Sequence, residues 1–231
     1  MWNHNLLGEG FNMINVLFDG QTYKELRSSG EADTWAQTYF SDILTLDQDS
    51  LAFRSLYFYT GSMSKKWNAV LRRSPSIESV DFEKYAGREF SSDGEQITKI
   101  KEVNSILRQH SMPENIVVYR YTQRQDLRQL CSVKWLKRGL CFTDKGFVST
   151  TLVRELLLPF AKKRRHNCLL KLYLPKGLQG AYVSPPHSKT KLNEQEILLP
   201  PNTQFEIRKI HRSPFCMTIE CTAKTSGMSD I

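Results

Sequence analysis

The feature that most constrains this chain is a change of texture at Pro113. Before it, apolar residues recur at helical spacing. After it, they come in short β-prone runs punctuated by Gly, Pro, Asn and Asp. Ile97, Ile100, Val103, Ile106 and Leu107 form an amphipathic stripe that stops at His110-Ser111-Met112-Pro113. A second helical stripe covers 51–71 and is interrupted at Gly61, and Asp33 is the expected cap of a helix carrying Trp35, Ala36, Tyr39 and Phe40. The β-prone runs are 116–121, 139–142, 146–150, 168–174, 180–183, 196–199, 204–210 and 217–221, with a short helix expected over 154–163. Helices first and strands later predict an α+β fold. A length of 231 residues suits a single domain spanning 1–231, mainly helical over 1–110, β-rich over 111–223, with a small polar tail at 224–231.

Bulk properties narrow the classes. No run approaches the ~20 apolar residues that span a bilayer, and the N-terminus shows no basic leader with an apolar block, so a soluble chain without a signal peptide is expected. The five cysteines, Cys131, Cys141, Cys168, Cys216 and Cys221, include no C-x-x-C pair. That disfavours a metal site or a disulfide framework and fits free thiols in a reducing cytosol. The net charge of +8 suits a ligand with phosphates, and equally an acidic protein, a membrane surface or nucleic acid. Its densest run, Lys162-Lys163-Arg164-Arg165-His166, fits either a solvated helix end or a functional cationic loop.

Two carboxylates two positions apart, in Asn193-Glu194-Gln195-Glu196-Ile197-Leu198, lead directly into an apolar strand. In extended backbone, Glu194 and Glu196 project to the same side. Such a pair fits a polar turn at a strand entrance, or two acids that divide the work at one site. Upstream lie Val117-Val118-Tyr119-Arg120-Tyr121 and the hydroxyl-rich Gly146-Phe147-Val148-Ser149-Thr150-Thr151.

Arginine, then serine–threonine, then paired glutamates, in that order, resembles the arginine–serine–glutamate class of mono-ADP-ribosyltransferases. The likeness includes Tyr57-Phe58-Tyr59-Thr60-Gly61-Ser62 and Trp67-Asn68-Ala69-Val70-Leu71-Arg72, similar to the helix framing the nicotinamide pocket in the toxin branch. It implies a split β-sandwich, two small steeply crossed sheets with an NAD cleft between them and flanking N-terminal helices. It implies NAD as substrate and no metal. By the same resemblance, Glu196 steadies the positive ribose, Glu194 orients and activates the acceptor, Arg120 holds NAD phosphate, and Ser149 fixes the Glu196 rotamer. Tyr59, Asn68, Arg72, Tyr121, Phe160 and Lys163 are the further NAD-binding candidates. Tyr121 stands where relatives commonly carry glycine or arginine, Ser64 where actin-modifying toxins tend to carry tyrosine, and Lys191 where related toxins often carry an aromatic. Phe160 fits a core position of the short helix as well as a ring against nicotinamide.

The implied activity is transfer of ADP-ribose from NAD to a macromolecule, with protein arginine as the expected acceptor because a carboxylate at 194 matches a guanidinium. A toxin or effector is the expected role, with an antitoxin or delivery partner left open. The alternatives are an NAD glycohydrolase or a nucleic-acid ADP-ribosyltransferase using the same pocket, and, more remotely, a silent NAD- or protein-binding module.

Overall fold

The computed structural model describes residues 14–82, 84, 93–163, 165–183, 194–213 and 216–224. The chain opens with a hairpin that the sequence reading did not anticipate. Strands β1 (Ile14–Phe18) and β2 (Gln21–Glu25) pair antiparallel. Asp19 and Gly20 join them at φ 48° and 76°, the left-handed geometry of a two-residue hairpin turn. Phe18 and Tyr23 then pack on one face of the main sheet, where the Phe18 and Tyr173 rings stack 3.6 Å apart.

Helix α1 (Ser29–Tyr39) starts four residues before the expected cap. Ser28 and Glu31 form a capping box: Ser28 Oγ accepts from the Glu31 N–H at 3.2 Å, and the Glu31 carboxylate accepts from the Ser28 N–H at 3.2 Å. Asp33 therefore lies inside the helix, with a different partner described below. A short α2 (Ser41–Leu44) follows. The stripe over 51–71 forms α3 (Leu51–Phe58), a π-turn (Tyr59–Met63) and α4 (Ser64–Arg73). The break falls at Gly61, whose φ of −86° and ψ of −115° are non-helical. Helix α5 (Asp93–Gln109) buries Ile100, Val103, Ile106 and Leu107 against this broken helix.

Among the described residues, ten strands share one open sheet. Its main path runs β4-β9-β10-β6-β3-β5-β8-β7, with β3 Ile116–Thr122, β4 Cys141–Asp144, β5 Val148–Thr151, β6 Cys168–Leu174, β7 Ala181–Tyr182, β8 Glu196–Leu199, β9 Thr203–Arg212 and β10 Met217–Lys224. The two expected sheets are linked at one corner, where β3 meets β5 only through Tyr119 opposite Thr151. Helix α6 (Arg124–Leu130) follows β3, and a 3₁₀ turn (Arg154–Leu157) runs into α7 (Leu158–Lys163). No helix among the described residues is long and apolar enough to cross a membrane.

Strand alternation positions the site. On β3, Val117 and Tyr119 belong to the cluster under the hairpin, while Ile116 and Val118 enter the main core. Arg120 lies on the core-side set, opposite Leu170 of β6. The corner leaves a cleft floored by β3, β5 and β8 and walled by the broken helix.

Candidate active site

Arg120, Ser149, Glu194 and Glu196 line one hollow of about 460 Å³, together with Tyr59, Asn68, Arg72 and Tyr121. Three stretches far apart in sequence thus meet at the sheet corner. The backbones of Phe160 and Lys163 lie in α7, but their side chains fall outside the described residues, as do residues beyond 224 and residues 184–193, which include Lys191. Thr60, from the Tyr57–Ser62 stretch, and His166, from the end of the cationic run, also line the hollow, as do Lys65 and Asp126, which were not anticipated. Only a three-dimensional neighbour identifies Lys65 and Asp126, since neither stands in a motif.

Glu196 is 6% exposed. Loss of solvent pushes its carboxyl up to about 7, the Ser149 hydroxyl donating to it pulls it down, Glu194 pushes it up, and Arg120 pulls it down. Arg120 Nη1 also donates to the Ser149 carbonyl at 3.1 Å, tying β3 to β5 beside the acid.

The glutamates do not converge by strand alternation, as expected from sequence. Strand β8 begins at Glu196, and Gln195 takes φ 49°. This left-handed kink in a non-glycine residue is held on all sides. The Gln195 side chain is fully buried. It accepts from the Tyr182 hydroxyl at 2.7 Å and donates to Asp33 Oδ1 at 2.9 Å. Leu152 N–H donates to the Gln195 carbonyl at 2.9 Å, and Thr151 Oγ1 donates to the Glu194 carbonyl at 2.6 Å. Thr150 Oγ1 donates to the Ile197 carbonyl at 2.8 Å. The threonines after Ser149 therefore clamp the glutamate segment through its backbone.

The opposite wall is equally fixed. Asn68 Oδ1 accepts from the Phe147 N–H at 2.7 Å, and Asn68 Nδ2 donates to the Phe147 carbonyl at 3.2 Å and to the Tyr59 hydroxyl at 3.3 Å. Asn68 thus acts first as a clamp on the turn before β5. A Cβ at Gly146 would lie 2.8 Å from Asn68 Oδ1, so glycine alone fits there. Arg72 makes a bidentate pair with buried Asp144, Nε to Oδ1 at 2.8 Å and Nη2 to Oδ2 at 2.9 Å. Burial and the Glu196 charge push the Tyr59 phenol far up, keeping it protonated. Arg154 donates to the Tyr121 hydroxyl.

The hollow continues past Arg72, Arg120, Thr122 and Asp126 into a second one of about 580 Å³ with an apolar side formed by Leu127, Phe142 and Phe205. Together they form a cleft with a desolvated acid at one end, guanidinium groups in the middle and apolar surface at the other. That arrangement fits a dinucleotide. Among the described residues no group of three or more His, Cys, Asp or Glu side chains is placed to hold a metal ion.

An α+β fold with an arginine–serine–glutamate corner built around a buried glutamate defines the class of NAD-dependent ADP-ribosyltransferases. Residues 32–223 match the ADP-ribosyltransferase exoenzyme family, and the chain belongs to it. Among solved structures, C3stau2 from S. aureus with NAD aligns with a TM-score of 0.66 at 20% identity, over 88% of this chain and 99% of that one. The Clostridium limosum C3 exoenzyme gives 0.66 at 20% identity, over 88% and 98%. Vis in complex with agmatine gives 0.56 at 19% identity, over 87% and 88%. At these identities the likeness establishes the fold. No curated protein sequence matches this one.

Proposed function

We propose that this protein transfers ADP-ribose from NAD to arginine side chains of a target protein, acting as a toxin-type effector. The observation that carries this reading is the placement of Glu194 beside Glu196 in one hollow. In the reaction, the bond between the ribose C1′ and the nicotinamide nitrogen breaks, and nicotinamide leaves with the electron pair. Positive charge develops on the sugar. Glu196, buried and steadied by Ser149 and Arg120, is suited to hold ribose hydroxyls and stabilise that charge. Arg120 is suited to the phosphates, since a guanidinium fork fits their geometry, while Arg72 lines the same hollow with its Nε and Nη2 edge held by Asp144. A guanidinium nitrogen of the acceptor then forms the new bond to C1′ and gives its proton to Glu194.

Arginine is favoured because a carboxylate at 194 can take a guanidinium through two parallel charge-assisted hydrogen bonds. Vis, a structural neighbour, was crystallised with agmatine, a guanidine. With water in place of the acceptor the same residues would hydrolyse NAD. The test is incubation with labelled NAD and a cell lysate, followed by mass spectrometry of the labelled species. Label on protein arginines, released by hydroxylamine and absent with Glu196→Ala, supports the reading. Label confined to nucleic acid or to free ADP-ribose overturns it.

A further inference from the structure

A third hollow, of about 680 Å³, adjoins the catalytic one and shares Tyr121, Ala161 and His166 with it. It lies between the segment 154–166 and the ends of β6, β9 and β10. Its charge is one-sided. Arg154, Lys162, Arg165 and Arg212 converge on it from the 3₁₀ turn, α7, the residues after α7 and the end of β9. Among the described residues no aspartate or glutamate lines it, and none of those four cations is in an ion pair. His211, also on its rim, has Nε2 against Glu220 at 2.6 Å, so the permanent cations set the field. Elsewhere Lys24, Arg72, Lys171 and Arg208 each face a carboxylate. Converging like charges repel one another, and an anionic occupant relieves that repulsion.

The donor does not need this space. The catalytic hollow and the apolar one beyond Arg72 and Arg120 already form a dinucleotide-sized cleft on the other side. We infer that the cationic hollow is a docking surface for the acceptor protein, and that it receives an acidic segment flanking the arginine to be modified. This rests on the arginine reading above and adds what must surround that arginine. The floor favours a protein segment over a single-stranded nucleic acid. It is built from Leu158, Leu169, Ser213 and Thr218, and among the described residues its one phenyl or indole-type ring, Tyr121, is engaged by Arg154, whereas sites for single strands interleave exposed aromatics as stacking platforms. Electrostatic docking of this kind raises the rate of encounter and rejects basic partners.

The experiment uses a fluorescent peptide with one arginine flanked by aspartates and glutamates, an uncharged peptide with the same arginine, and a single-stranded oligonucleotide. Binding to the full chain is read by polarisation, and NAD hydrolysis without acceptor is followed in parallel. The acidic peptide is expected to bind more tightly than the other two. Lys162→Glu with Arg212→Glu is expected to weaken it about tenfold or more, Arg212→Lys to leave it intact, and NAD hydrolysis to be unchanged in both variants. Three results overturn the inference: no preference for the acidic peptide, no effect of charge reversal on its binding, or tighter charge-dependent binding of the oligonucleotide. If hydrolysis falls with the reversal, the hollow belongs to the donor site and the inference also fails. If the acidic peptide binds as expected but its arginine is never modified, the docking surface stands and the arginine reading fails.

Discussion

Gln195 Nε2 donates to Asp33 Oδ1 at 2.9 Å, joining the first helix to the residue between the two acids of the site. Gln195 holds a left-handed φ of 49°, and that kink sets how Glu194 and Glu196 diverge and reconverge. Asp33 is exposed, so its removal lets water replace the acceptor, a loss of about 1 kcal/mol for the ordered hydrogen bond. Asp33→Ala is therefore expected to lower the melting temperature and to reduce kcat for NAD hydrolysis about tenfold to a hundredfold with little change in KM. Asp33→Asn keeps an acceptor oxygen and should retain most of the activity. Equal kcat in all three proteins would dissociate helix α1 from catalysis.

The pH dependence follows from Glu196. Stabilising a positive ribose requires its carboxylate, and burial holds that carboxyl at about 7. The rate of NAD hydrolysis at limiting NAD is expected to rise with pH to a midpoint near neutrality, because kcat/KM reports the free enzyme. Glu194 is one cause of the upward shift. Glu194→Gln should move the midpoint to lower pH, and a midpoint unmoved by that change would show that Glu194 exerts no field on Glu196.

The same shift has a stability counterpart. The folded protein holds the Glu196 proton more tightly than the unfolded chain, whose ordinary value is 4.5. The favourable contribution of the neutral acid is complete below that value and is lost as pH rises through about 7. Glu196→Gln should therefore melt higher than the parent above neutral pH, with the difference shrinking towards acid. A melting difference that is flat across this window would contradict the desolvated environment.

Gly146→Ala tests the wall opposite the acids. The added Cβ would lie 2.8 Å from Asn68 Oδ1, which is pinned by the Phe147 N–H at 2.7 Å. Overpacking of this kind costs about 1–3 kcal/mol. Calorimetry should show a lower melting temperature together with weaker NAD binding, since Asn68 and Arg72 line the cleft. Unchanged affinity would mean that the clamp on Phe147 does not shape the donor site.

Much of the fold is legible in sequence where burial dictates it. Cys168–Leu174 and Glu196–Leu199 are strands at the residues expected, because continuous apolar runs leave few alternatives. The hairpin Ile14–Glu25 is different: its strands are half exposed and its pattern is weak, although Asp19-Gly20 carries the turn signal. Helix Arg124–Leu130 is short and polar, and with it Asp126 was missed. The Ser28–Glu31 capping box outcompetes Asp33 as a helix start, and its spacing was readable. The Arg72–Asp144 pair, the Asn68–Phe147 clamp and the Asp33–Gln195 contact join residues too distant for local pattern to connect. The motif order marked Arg120, Ser149, Glu194 and Glu196 through the resemblance to a family, and each stands on a strand or at its edge. The kink at Gln195 is the exception, since nothing in a glutamine announces positive φ.

The central claim is that Glu196 serves cleavage of NAD while Glu194 serves the acceptor. It is tested most directly by measuring nicotinamide release and arginine labelling side by side in Glu194→Gln and Glu196→Gln. The account predicts that Glu194→Gln loses labelling while nicotinamide release persists, and that Glu196→Gln loses both. Equal loss of both activities in Glu194→Gln, or nicotinamide release surviving in Glu196→Gln, would contradict it.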